Sequence, residues 1–261
     1  MALVWLIACG FELPWIWPVA VDTGSFATDG DPTPETDVDG GPEPDTGSAL
    51  PPNIDLGPFD PDQVDLLFVI DHSCSMSGFE GTVDDSWSAL APHLAPWDWH
   101  IGAVTMDLVL ASRAGVLVEV EGRPFLDATT SDPESRFQEL VDRGSAGAIA
   151  TEGMGAVYTA LRLKGLENQG FRRNAALHLV FVSDVDDQTD PDLVTMAQFE
   201  SWLDGFDGPV TIHALISGTN GQGEPGVTYE SLATRYGGVV FDIEDETQYD
   251  AFLDLVGATL P

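Results

Sequence analysis

From residue 64 onward the chain alternates short apolar runs with longer stretches in which apolar side chains recur every three or four positions. The clearest run is Val64-Asp65-Leu66-Leu67-Phe68-Val69-Ile70, apolar at every position from 66 to 70 rather than at alternate ones. Such a run describes a central strand covered on both faces, as in a parallel sheet flanked by helices. A second run of the same kind is Ala176-Leu177-His178-Leu179-Val180-Phe181-Val182-Ser183, and weaker ones lie at 99–106, 116–120, 209–217 and 238–242. Between them, 79–94 predicts a helix with Val83, Trp87, Leu90 and Leu94 near one face. Further helices are predicted at 133–141 with Asp132 as cap, after Thr151 with Met154, Val157, Ala160 and Leu161 as a core stripe, from Pro191, at 229–236 and at 247–256. Strands alternating with helices imply an α/β fold with a mostly parallel sheet and crossover connections, assigned to residues 63–261.

The first sixty residues read differently. Residues 21–62 are dominated by Asp, Glu, Pro, Gly, Thr and Ser, as in Asp29-Gly30-Asp31-Pro32-Thr33-Pro34-Glu35. Too little apolar surface is present to offset ordering entropy, which predicts a disordered, self-repelling linker. Asp37-Val38-Asp39-Gly40 opens like a calcium loop but lacks the later bidentate acid, leaving only diffuse cation binding. Residues 1–20 form an anchor-like segment. Met1-Ala2-Leu3-Val4-Trp5-Leu6-Ile7-Ala8-Cys9 resembles the lipobox of a bacterial lipoprotein signal, which implies acylation at Cys9. A membrane-spanning helix needs about 20 continuous apolar residues, and Glu12, Pro14 and Pro18 interrupt this run. With Cys9 acylated, Cys74 is expected to have no partner within the chain.

Charge narrows the function classes. The net charge is -35 and no Lys or Arg precedes Arg113. A polyanionic backbone would be repelled, so nucleic acid is excluded as a partner, while divalent cations are attracted. Motifs of common enzymes are missing: no Gly-x-Ser-x-Gly elbow, no phosphate loop with Lys, no His-Glu-x-x-His. Gly153-x-Gly155 lacks the third glycine of a dinucleotide fingerprint.

The candidate chemistry sits where the first strand ends. Asp71, Ser73 and Ser75 alternate with His72 and Cys74, so one turn can aim a carboxylate and two hydroxyls at a single point. An all-oxygen set of hard donors suits Mg²⁺, Mn²⁺ or Ca²⁺ rather than zinc or copper. Helix N-capping by Ser73, Ser75 or Ser77 is the simpler alternative. Asp-x-Ser-x-Ser directly after Leu-Leu-Phe-Val-Ile resembles the metal-ion-dependent adhesion site of von Willebrand factor type A domains of the bacterial secreted or lipoprotein kind.

That resemblance implies a doubly wound, six-stranded sheet with residues 116–120 as its antiparallel edge. It also implies a metal site completed by Thr151 from a second loop and Asp184 from a third, although Ala150 and Val185 stand where the family has glycines. Asp107, Asp186 and Asp187 are candidates for indirect support of that ion or for a second cation, the alternative for the last two being a solvated loop that caps the helix from Pro191. By resemblance the protein is a non-enzymatic adhesion module of the bacterial outer membrane or cell surface, alternatively periplasmic or secreted, whose ion takes an acidic side chain from a protein partner. A structural lipoprotein with a vestigial site and a metal-assisted hydrolase are the competing classes. Against the hydrolase, Ser73 has no evident general base, because neighbouring His72 is expected to point away. His178 and His213, inside strands, are expected to be core residues.

Overall fold

The computed structural model describes residues 58–79, 83–144, 150–165, 168, 171–218 and 223–261. The anchor segment with Cys9, Asp37-Val38-Asp39-Gly40 and all but the end of the linker therefore lie outside the described residues. What is described belongs to one unit, residues 56–261, organised on a single sheet.

Its strands are β1 (Gln63–Ile70), β2 (Asp98–Thr105), β3 (Leu126–Asp127), β4 (Ala176–Ser183), β5 (Val210–Ile216) and β6 (Val240–Asp242), in the order β3-β2-β1-β4-β5-β6. All neighbours pair in parallel except β3, which runs antiparallel to β2. The first two strands in the chain that read as unbroken apolar runs, β1 and β4, are adjacent and central, and Val64 to Ile70 and Ala176 to Ser183 are buried throughout. The order reverses between β1 and β4, which places a topological switch point outside the carboxyl ends of these two strands.

Helices α1 (Trp87–Leu94), α2 (Pro133–Val141), α3 (Gly153–Val157), α4 (Met196–Leu203), α5 (Val227–Arg235) and α6 (Tyr249–Ala258) cover the sheet, and α3 runs directly into a π turn over Tyr158–Leu163. Two apolar clusters result, one beneath α1, α2 and α6 around Phe68, Trp87, Phe137 and Phe252, the other beneath α3, α4 and α5 around Phe181, Phe199 and Tyr229.

Four sequence expectations are corrected. The antiparallel edge strand is β3, paired at Ile101↔Leu126, whereas 116–120 makes only the isolated bridges Val104↔Leu117 and Val120↔Arg123. The helix expected over 79–94 is α only from Trp87; the turns Cys74–Gly78 and Asp84–Ser86 are 3₁₀, although Val83, Trp87, Leu90 and Leu94 are all buried as the spacing predicted. No helix begins at Pro191, because the start signal lies later. The Thr195 hydroxyl accepts from the Gln198 N–H and the Gln198 side chain from the Thr195 N–H, a reciprocal box that fixes the start of α4. Asp132 does precede α2, but with φ 51° and no capping bond from its side chain.

Candidate metal centre

At the carboxyl end of β1 the backbone leaves the sheet through the Asp71 N–H, which donates to the Val182 carbonyl of β4 at 2.9 Å. The turn that follows is held by its own side chain, for Asp71 Oδ1 accepts from the Ser73 N–H at 2.8 Å. Asp71 Oδ2 accepts from the Ser183 hydroxyl, the last residue of β4, at 2.8 Å. Ser75 Oγ donates to Asp184 Oδ1 at 2.9 Å. That uses its only proton, so in the 3.0 Å contact between the two serine hydroxyls Ser73 is the donor. Asp71, Ser73, Ser75 and Asp184 thus form one hydrogen-bonded group although the last is separated from Ser75 by 109 positions.

The capping alternative fails for Ser73, which holds the N-cap position of the 3₁₀ turn but makes no capping bond with its side chain. Asp71, Ser73 and Asp184 are buried and Ser75 is half-buried, so two carboxylates share a poorly solvated spot. Burial, reinforced by the Asp71 charge, pushes the Asp184 carboxyl up to about 6 despite the hydroxyl that Ser75 donates to it. A divalent cation would relieve that electrostatic cost.

Thr151 belongs to the loop before α3. The Gln188 N–H donates to the Thr151 carbonyl at 2.8 Å and the Glu152 N–H to the Met106 carbonyl at 3.0 Å, which ties this loop to the one after Asp184 and to the end of β2. Thr151 is 1% exposed and does not cap α3, whose N-cap is Glu152; its hydroxyl oxygen is buried with no hydrogen-bond partner among the described residues. Orphaned buried hydroxyls are uncommon in folded proteins. The donor set Asp71, Ser73, Ser75, Thr151 and Asp184 is all oxygen and fits Mg²⁺, Mn²⁺ or Ca²⁺. Among the described residues no three His, Cys, Asp or Glu side chains cluster as metal ligands, and this set draws three of its five donors from hydroxyls.

The three further acids divide by role. Asp186 accepts from the Thr228 N–H at 2.9 Å and the Thr228 hydroxyl at 3.1 Å, holding the first turn of α5. Asp187 accepts from the Met154 N–H, the Thr189 N–H and hydroxyl, and the Tyr229 hydroxyl at 3.3 Å, holding the first turn of α3. Both fasten helices in space, α5 and α3, and not a helix from Pro191. Asp107 Oδ1 closes its own turn by accepting from Val109 N–H at 3.0 Å, while its Oδ2 lies 3.9 Å from His72 Nε2 and 4.0 Å from Arg113 Nη1.

His72 is buried. Arg113 Nη1 donates to its Nε2 at 3.1 Å, which makes that nitrogen an acceptor and the ring neutral; burial lowers its basicity. Ser73 is bonded to Ser75 and Ser75 to the Asp184 carboxylate, so His72 serves neither hydroxyl as a base. Cys74 is disulfide-bonded, which corrects the expectation of an unpartnered thiol. The chain's other cysteine is Cys9, so a bridge between the two and acylation of Cys9 exclude each other.

Two further residues shape the site. Ser183 orients Asp71, as described. Tyr229, fully buried, stacks on Phe181 with centroids 4.7 Å apart and lies so close to α3 that a Cβ at Gly153 would stand 2.5 Å from its hydroxyl. Its hydroxyl proton is held well above the ordinary range by burial and by the Asp187 charge.

The fold is a von Willebrand factor type A-like architecture, and solved structures agree. A von Willebrand factor type A protein from Catenulispora acidiphila superposes with a TM-score of 0.51 at 16% identity, over 75% of this chain and 42% of that one. Proximal thread matrix protein 1 from the mussel byssus matches with a TM-score of 0.51 at 15% identity, over 75% of this chain and 46% of that one. At such identities the likeness establishes the fold alone, and the chain spans less than half the length of these structural relatives. No family model and no curated protein matches the sequence.

Proposed function

We propose that this chain is a cation-dependent protein-binding module in which Asp71, Ser73, Ser75, Thr151 and Asp184 hold a Mg²⁺ or Mn²⁺ ion and a partner's acidic side chain completes the ion's coordination. The observation that carries the reading is the pairing of a buried two-carboxylate, two-serine group with an unpartnered Thr151 hydroxyl in a neighbouring loop. When bound, the ion would supply electrophilic attraction for a carboxylate. The chain's own part is to orient Asp71 through Ser183, to present few anionic donors so that the ion keeps its charge, and to fix the three loops through Asp186, Asp187 and Tyr229. We further propose that the module acts at a bacterial cell envelope.

A cation-free structural role is the second reading, favoured by the fact that the serines and carboxylates satisfy one another without an ion. Titration calorimetry with MgCl₂ and then with a short Asp-containing peptide separates the two. One saturable Mg²⁺ site, lost in Asp71→Ala, followed by peptide binding only in the presence of Mg²⁺, supports the adhesion reading; no saturable heat rejects it.

A further inference from the structure

Away from the candidate metal centre, two imidazoles are buried edge to edge in the sheet, and the candidate function uses neither. His178 of β4 and His213 of β5 are 2% and 0% exposed, their rings nearly parallel at 8° and their centroids 5.5 Å apart. Three contacts fix their protons. The Val239 N–H donates to His213 Nδ1 at 3.3 Å, so Nδ1 is an acceptor and the His213 proton sits on Nε2. That Nε2 lies 3.2 Å from His178 Nδ1 and 3.5 Å from Thr259 Oγ1. The Thr259 hydroxyl spends its own proton on the Val256 carbonyl at 2.7 Å, leaving its oxygen to accept. His213 Nε2–H is therefore the shared donor and His178 Nδ1 an acceptor, which makes both rings neutral.

The contacts join four elements: β4, β5, the Gly237–Val239 link between α5 and β6, and the residue that follows α6. Gly238 leaves no slack in that link, since a Cβ there would stand 1.8 Å from the Ile212 carbonyl oxygen. A proton on His213 Nδ1 would face the Val239 N–H, and one on His178 Nδ1 would face the His213 N–H. Each protonation replaces an acceptor by a donor. Among the described residues no carboxylate or cation offsets the new charge: burial acts on His178, and burial together with the neighbouring ring on His213.

We infer that the His178–His213 pair is an acid-sensitive latch, whose protonation releases the α5–β6 link and the end of α6 from β5. Burial depresses the two rings to about 4 and about 3, against an ordinary 6.5, so the release belongs to acid conditions.

Hydrogen exchange on the full chain, corrected for intrinsic rates, tests this at the Val239 amide with Phe68 in β1 as internal reference. In the wild type Val239 protection is expected to fall at least tenfold between pH 6 and pH 4 while that of Phe68 holds. His213→Gln, which keeps an acceptor but cannot gain a proton, is expected to abolish the difference. Equal loss at both amides, an unchanged pH profile in His213→Gln, or a flat wild type overturns the latch. Should that variant fail to fold, ¹⁵N spectra of the wild-type rings decide: neutral rings at pH 5.5 with the His213 proton on Nε2 support it, and a charged ring at that pH refutes it.

Discussion

Single side chains in this protein do work that depends on what surrounds them more than on their type. Thr151 is the clearest case, because its hydroxyl is buried and has no partner among the described residues. Replacing a buried unsatisfied polar group by an apolar isostere removes a desolvation cost of order 1 kcal/mol. Thr151→Val is therefore expected to equal or exceed wild-type stability by about 1 kcal/mol in chelator, while losing most of the added stability that saturating Mg²⁺ gives the wild type. Thermal melts with EDTA and with MgCl₂ read both quantities. A variant less stable in chelator and equally Mg²⁺-responsive would mean that the hydroxyl has no part in the site. At the opposite end of β1, Asp65 is fully buried and bonded by Arg172 Nη2 at 2.7 Å and Nε at 3.0 Å. Burial still dominates, lifting the carboxyl to about 6. Arg172→Ala strands this group and is expected to cost about 3–5 kcal/mol in urea unfolding, far more than loss of an exposed pair would.

Elements place the site, and here sequence and structure part company in instructive ways. The strands that matter were legible because β1 and β4 are buried on both faces and so carry unbroken apolar runs ending in acids. The Asp71-x-Ser73-x-Ser75 turn was legible because it is local. Asp186 and Asp187 were not, since their donors, Thr228 and Met154, belong to helix starts distant in the chain. Residues 116–120 and β3 could not be ranked from composition; the short edge strand is chosen by its pairing with β2 and not by its own apolar content. Tyr229 shows the same limit, as its fit against Gly153 exists only once α3 and α5 are packed. Gly153→Ala would drive a Cβ into the Tyr229 hydroxyl and tilt α3 away from Asp187. The expected cost is about 1–3 kcal/mol, partly recovered in the double variant with Tyr229→Phe, and a double-mutant cycle measures the coupling. Thr195→Ala should cost about 1 kcal/mol by opening the capping box of α4.

At the scale of the molecule, charge and pH set the conditions under which the fold holds. Below pH 6.5 an unfolded chain binds protons on both His178 and His213, whereas the native chain resists until about 4 and about 3. The unfolded state then binds more protons, so the contribution of this pair to stability is complete above pH 6.5 and shrinks as pH falls. The stability of the wild type minus that of a His178→Gln, His213→Gln double variant isolates it, and the difference should decline steadily between pH 6.5 and pH 4. A cation acts in the other direction. Binding only the native state, Mg²⁺ at a hundred times its dissociation constant would add about 2.7 kcal/mol.

The central claim is that an ion sits among side chains drawn from three separate loops. Anomalous diffraction from crystals grown with millimolar Mn²⁺ tests it most directly. The account predicts one strong peak in contact with Ser73, Ser75 and Thr151, with Asp71 and Asp184 at its edge, and no such peak in Asp71→Ala. Manganese bound elsewhere in the domain, or a site left empty at saturating Mn²⁺, would contradict it.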